Sequence, residues 1–146
     1  MASLIPISFK KEIVDLLIST KEDKWLMLLK STHAPAASQK YVSEVVAHEI
    51  TDVGGVYPAG GVPVPNCTAQ PDGNNYYLDA PDVSIGPGAT LTYRYGILYT
   101  KTGGSSQATY KIRAQIDFDP ITELDQQVTN GTTTIQWNAV GIIYVK

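Results

Sequence analysis

The sequence from Thr90 onward reads Thr90-Leu91-Thr92-Tyr93-Arg94-Tyr95-Gly96-Ile97-Leu98-Tyr99-Thr100, then Lys101-Thr102-Gly103-Gly104-Ser105-Ser106, then Gln107-Ala108-Thr109-Tyr110-Lys111-Ile112-Arg113-Ala114-Gln115-Ile116-Asp117-Phe118. In the first limb Leu91, Tyr93, Tyr95, Ile97 and Tyr99 fall on every second residue, and Thr90, Thr92, Arg94 and Thr100 take intervening places. Successive side chains of a strand point to opposite faces, so this period predicts a strand with one face buried. The second limb repeats the pattern with Ala108, Tyr110, Ile112, Ala114, Ile116 and Phe118 against Thr109, Lys111, Arg113, Gln115 and Asp117. Gly103-Gly104-Ser105-Ser106 between them offers the backbone freedom of a hairpin tip. The expectation is a long antiparallel hairpin over residues 89–118 at the centre of a sheet, with Ile112 buried.

Working outward, Gly86-Pro87-Gly88 reads as the turn that delivers the chain to this hairpin, after a short piece of strand at residues 82–85. Pro71-Asp72-Gly73-Asn74-Asn75 is an earlier turn, followed by a strand at residues 76–80. Downstream, residues 119–125 leave the sheet, Asn130-Gly131 is a strong turn signal, and Thr133, Ile135 and Trp137 alternate behind it. Residues 140–145 close the chain as a last strand. Near the start, Ser8 can cap a helix whose Phe9, Ile13, Leu16 and Leu17 recur at helical spacing, ending near Thr20. The run Trp25-Leu26-Met27-Leu28-Leu29 is apolar without alternation, which predicts a strand covered on both faces. Residues 31–39 form a loop, and residues 41–50 form one or two helical turns at most. Residues 53–65 carry four glycines and three prolines, which exclude a central strand and predict a hinged surface loop tracking the sheet edge. The predicted fold class is therefore mainly β: an antiparallel β-sandwich or sandwich-like barrel of about six or seven strands with one short N-terminal α-helix at residues 8–20, in one domain over residues 1–146.

The chain has 146 residues, 43% hydrophobic and 17% charged, with a formal net charge of -3. These values predict a folded domain and make nucleic acid a poor partner, because no global positive field attracts phosphates. The single cysteine, Cys67, has no internal disulfide partner. The N-terminal residues lack the basic and apolar regions of a secretion signal, so synthesis in a reducing cytoplasm is expected. No stretch approaches the ~20 apolar residues of a membrane span, and no membrane partner is expected.

Residues in patterns that carry chemistry are few. His33 lies in a loop, and His48-Glu49 lacks the second histidine of a metalloprotease helix, since position 52 is Asp52. Cys67 has no neighbouring histidine and reads as an inert thiol. No nucleophile elbow and no phosphate cradle occur. Asp117, Asp119, Glu123 and Asp125 are close enough in sequence to converge on a cation, but their spacing is not that of an EF-hand, and a solvated strand end explains them as well. The expectation is no catalytic residue, no cofactor and no metal.

The order of several blocks resembles a known family. An amphipathic helix, Val53-Gly54-Gly55-Val56-Tyr57-Pro58-Ala59-Gly60-Gly61, Thr92-Tyr93-Arg94-Tyr95-Gly96-Ile97-Leu98-Tyr99-Thr100-Lys101-Thr102-Gly103, Ile116-Asp117-Phe118 and Asn130-Gly131-Thr132-Thr133-Thr134-Ile135-Gln136-Trp137 follow one another. This looks like a family of small structural proteins of tailed bacteriophages, over most of the chain from about Phe9. Thr92 and Lys101 depart from the alanine and aspartate common there, as do the prolines after Gly61. The resemblance implies a non-enzymatic virion protein, first a capsid decoration or cement protein bound to the major capsid protein. The alternative is a neck, tail or fibre component, and a carbohydrate-active enzyme or binding domain ranks last. It also implies a homo-oligomer, a trimer by preference, made in the host cytoplasm and located in the virion. The expected interface residues are Ile5 and Pro6 before the helix, with Tyr57, Pro58, Val62 and Pro63 on the glycine-rich loop. Deleting residues 54–61 is expected to leave the fold largely intact.

Overall fold

Met27 and Leu28 are neighbours in sequence, yet both are fully buried. That defines the strand carrying them as the middle of a layered structure, with apolar material on each side. The computed structural model describes residues 6–19, 24–101, 105–137 and 143–145. It is mainly β, with one helix at the front and antiparallel pairing throughout the described strands. The elements are α1 (Ile7–Ser19), β1 (Lys24–Leu29), two 3-10 turns (Val42–Glu44 and Val46–His48), β2 (Val62–Pro63), β3 (Thr68–Asp72), β4 (Asn75–Asp79), β5 (Val83–Tyr93), β6 (Tyr95–Thr100), β7 (Lys111–Asp117), β8 (Gln126–Ile135) and β9 (Ile143–Val145). They form sheets in the orders β2-β1-β6-β7, β3-β4-β9 and β5-β8.

Strands β1 and β6 pair with Leu26 opposite Leu98 and Met27 opposite Ile97. Leu26, Leu28 and Leu98 enter the main core, where they meet Val83, Ile85, Ala89, Leu91 and Tyr93 of β5, Leu78 of β4, Ile135 of β8 and Val14 of α1. Met27, Leu29, Ile97 and Tyr99 point the other way and are covered by Val42 and Val45 of the 3-10 segment, with Tyr110 and Ile112 at the margin. The β1 run lacks alternation for this reason. The four-stranded sheet faces the β5-β8 pair and β4 across one core, which makes the arrangement sandwich-like.

Four expectations change in the folded chain. The first limb of the hairpin is two strands, because the chain changes sheet at Arg94: β5 pairs with β8, while β6 pairs with β1 and β7. The Arg94 N–H donates to the Leu29 carbonyl (3.0 Å), and its carbonyl accepts the Phe118 N–H (3.2 Å). The Arg94 guanidinium makes two hydrogen bonds to Asp117 (2.9 and 3.1 Å), so Arg94 is buried rather than solvent-facing, and Thr100 is buried beyond it. Second, only β6 is central; β7 is an edge strand whose Ile112 is half-buried. Residues 102–104 of the expected tip lie outside the described residues.

Third, Gly86-Pro87-Gly88 and Asn130-Gly131 do not turn the chain back. Both lie inside long strands, β5 and β8, where the pairing register shifts around Ala89 opposite Gly131. Asn130 takes a φ of 45° there, so the residues that suit a tight turn serve a bulge instead. Fourth, α1 starts at Ile7, with the Phe9 and Lys10 N–H groups donating to the Pro6 carbonyl, and Ser8 is not its cap. The helix packs on β3 and β4 with Val14 fully buried in the main core, and on the same side Lys10 Nζ donates to the Asn74 carbonyl and Asn75 Oδ1. Phe9 and Leu16, expected in the core, are consequently 50% and 64% exposed.

Candidate functional site

The glycine-rich segment between Asp52 and Val64 is held by two carboxylates that its composition does not advertise. Asp52 accepts N–H hydrogen bonds from Gly54 (2.8 Å), Val56 (2.6 Å) and Tyr57 (2.8 Å), and from Thr90 on β5 (2.9 Å). The Thr90 N–H, joined by those of Tyr57, Gly54 and Val56, pulls the Asp52 carboxyl down to about 2. An aspartate followed two residues later by glycine is a turn signal, and this is the local cue that could have found it.

Glu49 acts at the far end of the loop. Its Oε1 accepts the Gly60 N–H (2.7 Å) and the Tyr57 hydroxyl (3.1 Å), while burial pushes its carboxyl up against those two donors. The Tyr57 oxygen also accepts the Leu28 N–H (2.9 Å), and Tyr99 donates its hydroxyl to the Gly60 carbonyl (2.6 Å). Burial first, and Glu49 next, raise the Tyr99 phenol to about 12. Gly61 sits at a φ of 90°, and a Cβ there would collide with the Leu26 backbone. Val62 then pairs with Leu26 and Pro63 with Trp25 on the sheet edge, as the composition suggested.

The expected interface residues therefore separate. Tyr57 is a core residue, 5% exposed, and is withdrawn from the interface; Val62 is half-buried against the same core. Pro58 and Pro63 remain exposed on the loop, Pro6 is exposed at the start of α1, and Ile5 lies outside the described residues. Deleting residues 54–61 would remove Tyr57 and the Gly60 and Gly61 contacts, so that deletion is a core lesion rather than a loop trim. Beside these prolines, the large apolar side chains the loop presents outward are Val53, at 89% exposure, and Val56 at 37%. Val53 stands on the rim of an open groove of about 410 Å³ shared with Lys30, Thr32, Thr90, Thr92 and Asp125.

His33 and His48 come together, with ring centroids 5.6 Å apart, although 15 positions separate them and no sequence spacing announced it. His33 Nε2 meets Gln115 Oε1 (3.0 Å) and His48 Nδ1 meets Thr32 Oγ1 (3.0 Å). Among the described residues no three His, Cys, Asp or Glu side chains stand where they could hold a metal ion. The acidic run is divided: Asp117 pairs with Arg94, and Asp119 accepts from the Thr122 hydroxyl, the Thr122 N–H (3.0 Å) and the Leu124 N–H (3.3 Å). Cys67 is half-buried, its thiol raised chiefly by burial, and its Sγ lies 3.6 Å from the Val64 carbonyl.

What these groups do chemically is accept and donate hydrogen bonds that shape a surface. No protein-family model, curated protein or solved structure matches the chain.

Asp52 has a consequence in acid. Its folded value is depressed to about 2 from an ordinary 3.8, so the unfolded chain takes up the proton first. The stabilisation is complete above the ordinary value and is lost as pH falls through the folded one. Wild type should lose more stability than Asp52→Asn on going from about pH 5 to about pH 2, read from denaturant midpoints. Equal losses would show that the carboxylate is not the clamp.

Proposed function

We propose that this chain is a non-enzymatic structural protein of a bacteriophage particle, in the first place a capsid decoration or cement protein that binds the major capsid protein. The observation that carries the reading is the loop between Asp52 and Val64, pinned at both ends by carboxylates and presenting Val53 and Val56 to solvent. A pre-ordered loop loses little conformational freedom on docking, which is what a small protein needs in order to bind through a limited surface. The order of sequence blocks supports the phage assignment, and the sandwich-like framework suits a rigid part that is repeated many times. A neck, tail or fibre component is the alternative, separated from the first reading by copy number.

Quantifying the protein against the major capsid protein in purified particles tests this directly. Hundreds of copies per particle are the expected result; a dozen or fewer moves it to the neck, tail or fibre, and absence from particles overturns the reading. In the decoration role, Val53→Asn with Val56→Asn, which removes the apolar side chains without adding charge beside Asp52, should reduce shell occupancy about tenfold while leaving the unfolding midpoint near wild type, since exposed substitutions typically change stability by within about 0.5 kcal/mol. Wild-type occupancy in that variant would show that the loop is no anchor.

A further inference from the structure

The two ends of β7 carry opposite charge. At one end Lys111 and Arg113 line one groove, Arg113 standing at the register shift of the β6-β7 ladder, and the backbone of Tyr41 bridges to Lys111. The Ile112 N–H donates to the Lys40 carbonyl (2.9 Å) and the Val42 N–H to the Tyr110 carbonyl (3.0 Å), so the segment bearing Lys40 and Tyr41 is bound to the strand edge. Between these residues is an open groove of about 420 Å³ lined by Gln39, Lys40, Tyr41, Lys111 and Arg113 among others, with three cationic side chains and no carboxylate in its lining. Arg113 is oriented there by the hydrogen bond from its Nε to Thr100 Oγ1 (3.0 Å). The adjacent acid, Glu44, is taken up by the backbone N–H groups of Lys40 and Tyr41, both at 2.7 Å. This is a concentrated positive surface on a chain whose net charge is -3.

At the other end the chain leaves Asp117 and forms a turn built around Asp119, whose carboxylate accepts from Thr122 and Leu124, while the Glu123 N–H donates to the Asp119 carbonyl (3.1 Å). The turn holds Ile121 at 88% exposure and Leu124 at 63%, two of the most exposed large apolar side chains among the described residues. Glu123 and Asp125 are exposed beside them, and neither makes a salt bridge among the described residues. Lys111 pairs with Thr100 and Asp117 with Tyr95, at opposite ends of the β6-β7 ladder. At about 3.3 Å per residue the two surfaces are roughly 20 Å apart, beyond a Debye length at physiological salt, so within one molecule they do not neutralise each other.

We infer that this chain associates head to tail with a second copy of itself, the acidic turn around Glu123 of one molecule seating in the Lys40-Tyr41-Lys111-Arg113 groove of the next. The occupant is assigned as a second copy because the chain carries both halves of the match: carboxylates flanked by Ile121 and Leu124 on one side, cations flanked by the half-exposed Tyr41 ring on the other. Both halves are pinned by backbone hydrogen bonds before they meet. A contact between two different surfaces is heterologous, and it closes into a ring where the rotation allows; three-fold closure would give the trimer expected above. The inference stands apart from the virion reading, since association of the isolated protein and occupancy of particles are separate measurements and either can fail alone.

Sedimentation velocity of the full chain, at low and at high salt, is the test. Association is expected at low salt and should weaken as salt approaches 1 M, where the Debye length is about 3 Å. Lys111→Glu and Glu123→Lys should each weaken association about tenfold, because like charges then face one another. The double variant, which restores opposite charges across the contact, should recover most of it, and this recovery rules out misfolding as the cause of the single-variant losses. An equimolar mixture of the two single variants should also associate, because the intact turn of Lys111→Glu seats in the intact groove of Glu123→Lys and the two reversed ends carry the same opposite charges as the double variant. A chain that stays monomeric at low salt overturns the proposal. So does an oligomer indifferent to salt and to both substitutions, or a response to Lys111→Glu with none to Glu123→Lys.

Discussion

Leu98→Ala is expected to destabilise the fold by about 2–5 kcal/mol, whereas Ile112→Ala, one strand away, should cost about 1 kcal/mol. Leu98 is fully buried in β6, between β1 and β7, and its side chain enters the main core. Truncation there loses the transfer free energy of the removed carbons and leaves a cavity that a sheet hydrogen-bonded on both sides cannot collapse. Ile112 belongs to the edge strand and is half-buried against the second cluster, so the site can relax and water already reaches it. Denaturant unfolding of both variants checks the difference. Equal losses would mean that β7 is buried as deeply as β6 and that the layer order is wrong.

Tyr57→Ala should be the other large effect, about 3–5 kcal/mol, on a residue in a glycine-rich loop where tolerance would ordinarily be expected. The ring fills the main core, and its oxygen accepts the Leu28 N–H from β1 while donating to Glu49. Tyr57→Phe separates the two contributions. It keeps the ring but leaves the Leu28 amide without that acceptor, at a cost of about 1–3 kcal/mol for an unsatisfied buried donor. Amide exchange at Leu28 should accelerate in the Phe variant beyond the change at Met27. If Tyr57→Ala were as stable as wild type, the loop would be a surface appendage and the interface reading of Tyr57 would return.

The elements most legible in the sequence were those whose pattern is local. The run from Trp25 to Leu29 is a strand with both faces covered, and the Gly73-Asn74 turn joins β3 to β4 with Asp72 opposite Asn75. Tyr41 to Ile50 folds as two short 3-10 turns, within the one or two turns expected. Other patterns were locally correct and globally misplaced. Leu91 and Tyr93 are buried as their alternation required, but the same alternation continued through Arg94 and hid a change of sheet. Asn130-Gly131 supplied a positive φ, though to a bulge. The helix period was present in α1, but the buried side is the one that carries Val14 into the main core with Leu78 of β4, a partner distant in sequence.

The candidate site was less legible than the fold. The loop was placed correctly on the sheet edge by its glycines and prolines, yet its anchors Glu49 and Asp52 and the inward turn of Tyr57 involve partners that composition cannot nominate. The same holds for the His33–His48 contact and for the opposite charges at the two ends of β7. Period, turn chemistry and propensity act over a few residues and are written in the chain, and they determined that this protein is an antiparallel β structure with a helix at its front. Tertiary structure alone decided which face of α1 is buried, where a strand passes from one sheet to the next, and which carboxylates hold a loop. Those outcomes depend on desolvation and hydrogen-bond pairing between segments brought together only when the core closes.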